Sequence, residues 1–99
     1  MLFTSDSVGR KGKAYGGAYG VSKFGIEGMM QTLADELRDT SPIRVNSIDP
    51  GAVRSDLRIK VYPGTDPSEW ALPEDIMSPY LYLMGPDSKG VTGQAFDAQ

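Results

Sequence analysis

Between residues 18 and 39 the apolar side chains Ile26, Met30, Leu33 and Leu37 recur in steps of four, three and four, one stripe of an α-helix. Tyr19 and Lys23 extend this stripe toward the helix start, and Glu36 and Arg38 fall on the outer face. Gly20, Gly25 and Gly28 interrupt the same helix, each costing about 1 kcal/mol against alanine at an exposed site. Three such residues predict close approach by another backbone or a ligand. Pro42 stops the helix. Residues 43–48 alternate apolar with polar, as a half-buried strand does, and Asp49-Pro50-Gly51 opens a loop.

Ahead of the helix, Leu2-Phe3-Thr4 is a short β-prone run, followed by a polar, glycine-rich stretch up to residue 17 that suits neither helix nor strand. Further along, residues 53–61 predict a short helix and residues 62–73, with three prolines, an irregular segment. Pro73-Glu74-Asp75 signals the start of another helix over 76–84, with Leu81 and Met84 facing inward. Residues 92–97 supply a last strand. Strand, long helix, strand, loop with short helices, strand is the order of an α/β fold with a parallel sheet.

Ninety-nine residues form one compact unit, and 39% apolar with 23% charged residues marks a globular chain. Cysteine and histidine are absent, which removes disulfides, thiolate chemistry, structural zinc and a Ser-His pair. The net charge of −3 and the short basic cluster Arg10, Lys11, Lys13 argue against nucleic acid. No apolar run approaches the roughly 20 residues that span a bilayer, and MLFTSDSVGR has no signal-peptide layout. The expectation is a soluble, cytoplasmic protein without a membrane or metal partner.

Tyr19 and Lys23, four residues apart in "AYGVSK", share one helical face. A phenol titrates near 10, too high for useful proton exchange at neutral pH. An ammonium about 4 Å away contributes roughly 4 kcal/mol at an effective dielectric near 20, about three pKa units toward the phenolate. The spacing alone is equally that of two amphipathic side chains on a helix surface.

The stretches "TSDSVG", "AYGVSKFGIEG", "IRVNSIDPGAVRS" and "VTGQAFD", in that order, cover nearly the whole chain. Together they resemble the C-terminal half of a short-chain dehydrogenase/reductase, a single-domain oxidoreductase dependent on NAD or NADP. The resemblance implies the later half of a Rossmann-like, doubly wound parallel sheet, a partial dinucleotide-binding domain over residues 1–99. It implies that Tyr19 transfers the proton that accompanies hydride transfer between cofactor and a carbonyl or alcohol substrate, and that Lys23 tunes Tyr19 and bonds the nicotinamide ribose. Of Ser5 and Ser7, it favours Ser7 as the group holding the substrate oxygen. Ser7 stands 12 residues before Tyr19, whereas the family spacing is often one residue longer, which reads as a shortened loop. Pro50, Gly51 and Val53 would pass close to the nicotinamide, with Ser55 supplying a hydroxyl where the family often has threonine.

The glycine-rich turn that grips the pyrophosphate, and the residue that chooses NAD or NADP, have no match here. Nor does the family's upstream asparagine, for which Asn46 in the later strand is no substitute. The expectation is therefore a piece of a longer protein, inactive alone, whose full form assembles as a homo-oligomer through the long helix. The competing possibility is a non-catalytic module that pairs through the helix face opened by Gly25 and Gly28.

Overall fold

A computed structural model describes all residues from Met1 to Gln99. Three parallel strands form its sheet in the order β1 (Leu2–Thr4), β2 (Asn46–Asp49) and β3 (Ala95–Asp97). Helix α1, Gly17–Leu37, connects β1 to β2 and packs on both. After β2 come α2 (Asp56–Val61), a 3-10 turn at Pro67–Glu69, a second at Pro73–Ile76 that leads into α3 (Met77–Met84), and β3. This is the α/β fold that the sequence pattern predicts. No helix is long and apolar enough to cross a membrane.

The inward stripe of α1 holds. Met30 and Ala34 are buried with Val45, and Phe3, Leu33 and Leu37 pack around them. The expected strand over 43–48 is shorter and shifted, and it is not half-buried. Asn46, Ser47 and Ile48 are all buried, because a central parallel strand is covered on both faces. Its polar residues are satisfied inside the chain. The Asn46 amide donates to the Val91 carbonyl at 3.0 Å and accepts from the Gln94 N–H at 3.1 Å, while the Ser47 hydroxyl bonds the Glu27 carboxylate at 2.9 Å. Ile43, expected inside, is 48% exposed.

The expectation for α3 is also corrected. Leu81 and Met84 are each 70% exposed, and Ile76 and Leu83 are buried instead. The last turn before α3 is 3-10, so the inward line runs Ile76, Tyr80, Leu83, one position away from the equally apolar line chosen from sequence. In the segment 53–61, helix starts only at Asp56, and Val53 pairs with Ala71 in an isolated parallel bridge.

Three of the four glycines of α1 have no intrachain reason. A Cβ at Gly20, Gly25 or Gly28 would meet nothing within 4 Å. Gly9 does have one. A Cβ there would stand 2.7 Å from the Lys23 carbonyl oxygen, so glycine is what lets the loop after β1 lie against α1. This contact brings the serine loop to the tyrosine.

Candidate functional site

Parallel strands leave their carboxyl ends at one edge, and the chain gathers its candidate chemistry there. The loop after β1 supplies Asp6 and Ser7, the first turns of α1 supply Tyr19 and Lys23, and the loop after β2 supplies Asp49, Pro50 and Gly51. Tyr19 and Ser7 lie on the same side of the fold but do not bond each other. Both meet at Asp6. The Tyr19 hydroxyl donates to Asp6 Oδ2 at 2.9 Å, and the Ser7 hydroxyl donates to Asp6 Oδ1 at 3.1 Å. Ser5, the other serine of the loop, is buried at 3% exposure and takes no part.

Lys23 sits with Nζ 5.4 Å from the centre of the Tyr19 ring, over its face. The ammonium forms no ion pair within the chain. The expected lowering of the tyrosine pKa is not what the geometry produces. Partial burial raises it, the hydrogen bond and charge of Asp6 raise it further, and Asp49 and Tyr62 add to the effect, pushing it up to about 12. The Asp6 carboxylate is hydrogen-bonded to the phenol oxygen itself, whereas the Lys23 ammonium lies over the ring face, and the carboxylate's sign favours the neutral phenol. For Asp6 itself, burial opposes ionisation. Hydrogen bonds from Tyr19, Ser7 and nearby backbone N–H groups outweigh it and hold the carboxyl below its ordinary value.

The loop after β2 is built for a close neighbour. Gly51 lies at φ +71°, where a side chain is strained, and its N–H bonds the Asp49 carboxylate at 2.9 Å. The Gln99 carboxamide is seated against it, with Nε2 donating to the carbonyls of Pro50 at 2.7 Å and Ala52 at 3.0 Å. A Cβ on Gly51 would come within 2.8 Å of that nitrogen. The loop thus seats the Gln99 carboxamide through two backbone carbonyls that accept from its NH2 group. Val53 and Ser55 stand further along. Val53 is held in its bridge to Ala71, and the Ser55 hydroxyl caps α2 by accepting from the Arg58 N–H at 3.1 Å.

Beside the site, the two ends of the 62–70 segment, Tyr62 and Trp70, are held together on Arg58. Arg58 lies 4.7 Å from the Tyr62 ring and 5.1 Å from the Trp70 ring, which meet edge to face at 6.4 Å. Trp70 is buried. Asp6, Glu27 and Gln99 escape the sequence reading. Asp6 alone carried a signal, because it stands 13 residues before Tyr19, the longer spacing that the resemblance describes.

Tyr19, the Lys23 ammonium and the loop that seats the Gln99 carboxamide thus stand at the carboxyl edge of a parallel sheet. Comparison with known proteins gives the family. The enoyl-(acyl carrier protein) reductase family profile matches residues 1–98. The chain is 52% identical over 99 residues to the uncharacterised oxidoreductase YciK of Escherichia coli K12, covering all of this chain and 38% of that protein. It also superposes on a Pseudomonas syringae structure described as a short-chain dehydrogenase, with TM-score 0.93 and 61% identity over 99% of this chain and 40% of that one. A similar structure from Escherichia coli CFT073, complexed with NADPH, gives TM-score 0.90 and 53% identity, with 99% and 40% covered. The chain belongs to the short-chain dehydrogenase/reductase family. It spans about two fifths of the length of these relatives.

Proposed function

We propose that this chain is the catalytic and substrate-side part of an NAD- or NADP-dependent oxidoreductase that interconverts an alcohol and a carbonyl. The observation that carries this reading is the meeting of Tyr19, Lys23 and the Gly51 loop at one sheet edge, where the loop already seats a carboxamide. A bound nicotinamide supplies or takes the hydride at the substrate carbon. Tyr19 transfers the matching proton at the substrate oxygen, Ser7 donates a hydrogen bond to that oxygen, and Lys23 bonds the ribose. Pro50, Gly51 and Val53 border the nicotinamide, and Ser55 stands beyond them. The NADPH complex of the Escherichia coli relative supports the phosphorylated cofactor. The substrate is a small molecule, and residues 62–70 border its place.

Residues 1–99 alone hold only the nicotinamide end of the cofactor. Without the pyrophosphate turn, positioning for hydride transfer is lost, an effect worth several kcal/mol. Titration of NADH and NADPH by fluorescence should therefore show no binding to the isolated chain. Fusion behind the amino-terminal three fifths of the 52%-identical Escherichia coli relative should restore binding and alcohol–carbonyl turnover. Tyr19→Phe should then lower turnover by about 100-fold or more. A folded fusion that binds neither cofactor would sink the reading.

The outer face of α1 favours a second role beside the first. Val21 is 73% exposed, and Phe24 and Met29 are each 46% exposed, next to glycines that leave room for a backbone. We assign this face to pairing with a second copy of the chain. Sedimentation should show concentration-dependent assembly that Phe24→Glu removes; a monomer at all concentrations would refute it.

A further inference from the structure

Two hydroxyls that the proposed chemistry needs are both already engaged by one carboxylate. Asp6 Oδ2 accepts from Tyr19 and Asp6 Oδ1 accepts from Ser7, so the carboxylate bridges the two donors. An oxygen that is to receive a proton from Tyr19 has to accept the hydrogen bond now given to Asp6. A carbonyl oxygen can only accept, as an ionised carboxylate can, so the two compete for the same donors. A developing alkoxide beside that carboxylate meets like charge as well. An alcohol or an ammonium has a proton to give, and Asp6 can take it in a hydrogen bond.

Counting back from Tyr19, residue 6 is 13 positions away and Ser7 is 12. The loop puts the aspartate, rather than Ser7, at the position that bonds the phenol. Gly9, pressed on the Lys23 backbone, fixes the loop in this register.

We propose that Asp6 is a positioning residue that clamps the Tyr19 and Ser7 hydroxyls, and that it sets this site against a bare carbonyl oxygen and in favour of a ligand that donates a hydrogen bond. The proposal rests on Tyr19 and Ser7 being the groups that handle the substrate oxygen. The charged and titratable groups that face Tyr19 are Asp6 from the loop after β1, Lys23 from its own helix, Asp49 from the end of β2, and Tyr62 from the end of α2. Of these, Asp6 alone bonds the phenol oxygen.

Ultraviolet titration of the tyrosines in the 99-residue chain decides the clamp without any cofactor. Tyr19→Phe identifies the Tyr19 step, expected up at about 12, and separates it from Tyr80, which burial also raises. Asp6→Asn and Asp6→Ser should each bring that step down by a pH unit or more, while Ser7→Ala leaves it within a few tenths. Circular dichroism of each variant establishes that it is folded. An unchanged Tyr19 step in folded Asp6→Asn overturns the clamp. In the fusion with the Escherichia coli relative, Asp6→Ser should lower the KM for the carbonyl at least tenfold relative to the KM for the alcohol, with kcat in the two directions shifting so that the reaction equilibrium is unchanged. An unchanged KM ratio between the native fusion and its Asp6→Ser variant overturns the selectivity. A fusion inactive in both directions counts against the oxidoreductase reading, and the tyrosine titration still decides Asp6.

Discussion

Along the body of β2 and at its amino end, Arg44, Asn46 and Ser47 are tied into the chain. The Arg44 guanidinium reaches the Ser88 hydroxyl and the Gly85 carbonyl, Asn46 spans to the loop before β3, and Ser47 bonds buried Glu27. At the carboxyl end, Ser7 and Tyr19 both donate to Asp6, but at the surface, with Tyr19 55% exposed. The first set lies largely inside, where a polar group left unpaired is costly, so its partners are obligatory. The second set could trade each partner for water or a ligand at little cost. Polar side chains of similar type thus serve structure at one end and recognition at the other, and burial separates the two.

Breaking the buried set should have the largest effect. Ser47→Ala removes the hydroxyl that bonds both oxygens of the Glu27 carboxylate, leaving Arg10 at 3.9 Å as its remaining partner. A loss of about 2 kcal/mol is expected, read as a lower urea midpoint. Replacing Glu27 by Gln in the same background should recover part of that loss, since the stranded charge is gone.

Gly9→Ala should act next, across both regions. Its Cβ meets backbone at 2.7 Å, which a side-chain rotation cannot relieve. About 1–2 kcal/mol of stability should go. The loop should also lift from α1, freeing the Tyr19 phenol, so its titration step falls toward the ordinary tyrosine value. Loss of stability without that fall would show that the site is positioned by something other than the Gly9 contact.

The smallest effect at neutral pH is expected from Asp6→Asn, whose consequence is a change in pH dependence. Tyr19 is raised in the fold, so its contribution is present below the unfolded value of 10.0 and is lost as pH rises toward about 12. Asp6 is lowered, so its contribution is present above 3.8 and is lost as pH falls below that value. Stability curves of the native chain should therefore droop at both ends, outside roughly pH 4–10. Asp6→Asn should flatten both limbs and change little between them.

The order of elements, the parallel α/β class and the inward face of α1 are legible along the chain, because a four–three–four spacing of large apolar residues has one helical solution. That order also brings Tyr19, Lys23, Ser7 and Gly51 to one edge, because consecutive crossovers between parallel strands leave their following loops together. Packing resolves what periodicity leaves equal. In α3 two neighbouring lines are both apolar, and the 3-10 turn at Pro73–Ile76 selected Ile76, Tyr80 and Leu83 over Leu81 and Met84. In β2 an alternating pattern suggested one wet face, but a central strand has none, and Asn46 and Ser47 became buried hydrogen-bonding groups. For Tyr19, spacing placed the lysine on the right face and could not place its ammonium. Only the packed loop shows that a carboxylate bonds the phenol oxygen while the ammonium lies over the ring, and electrostatics depends on those distances rather than on positions in the chain.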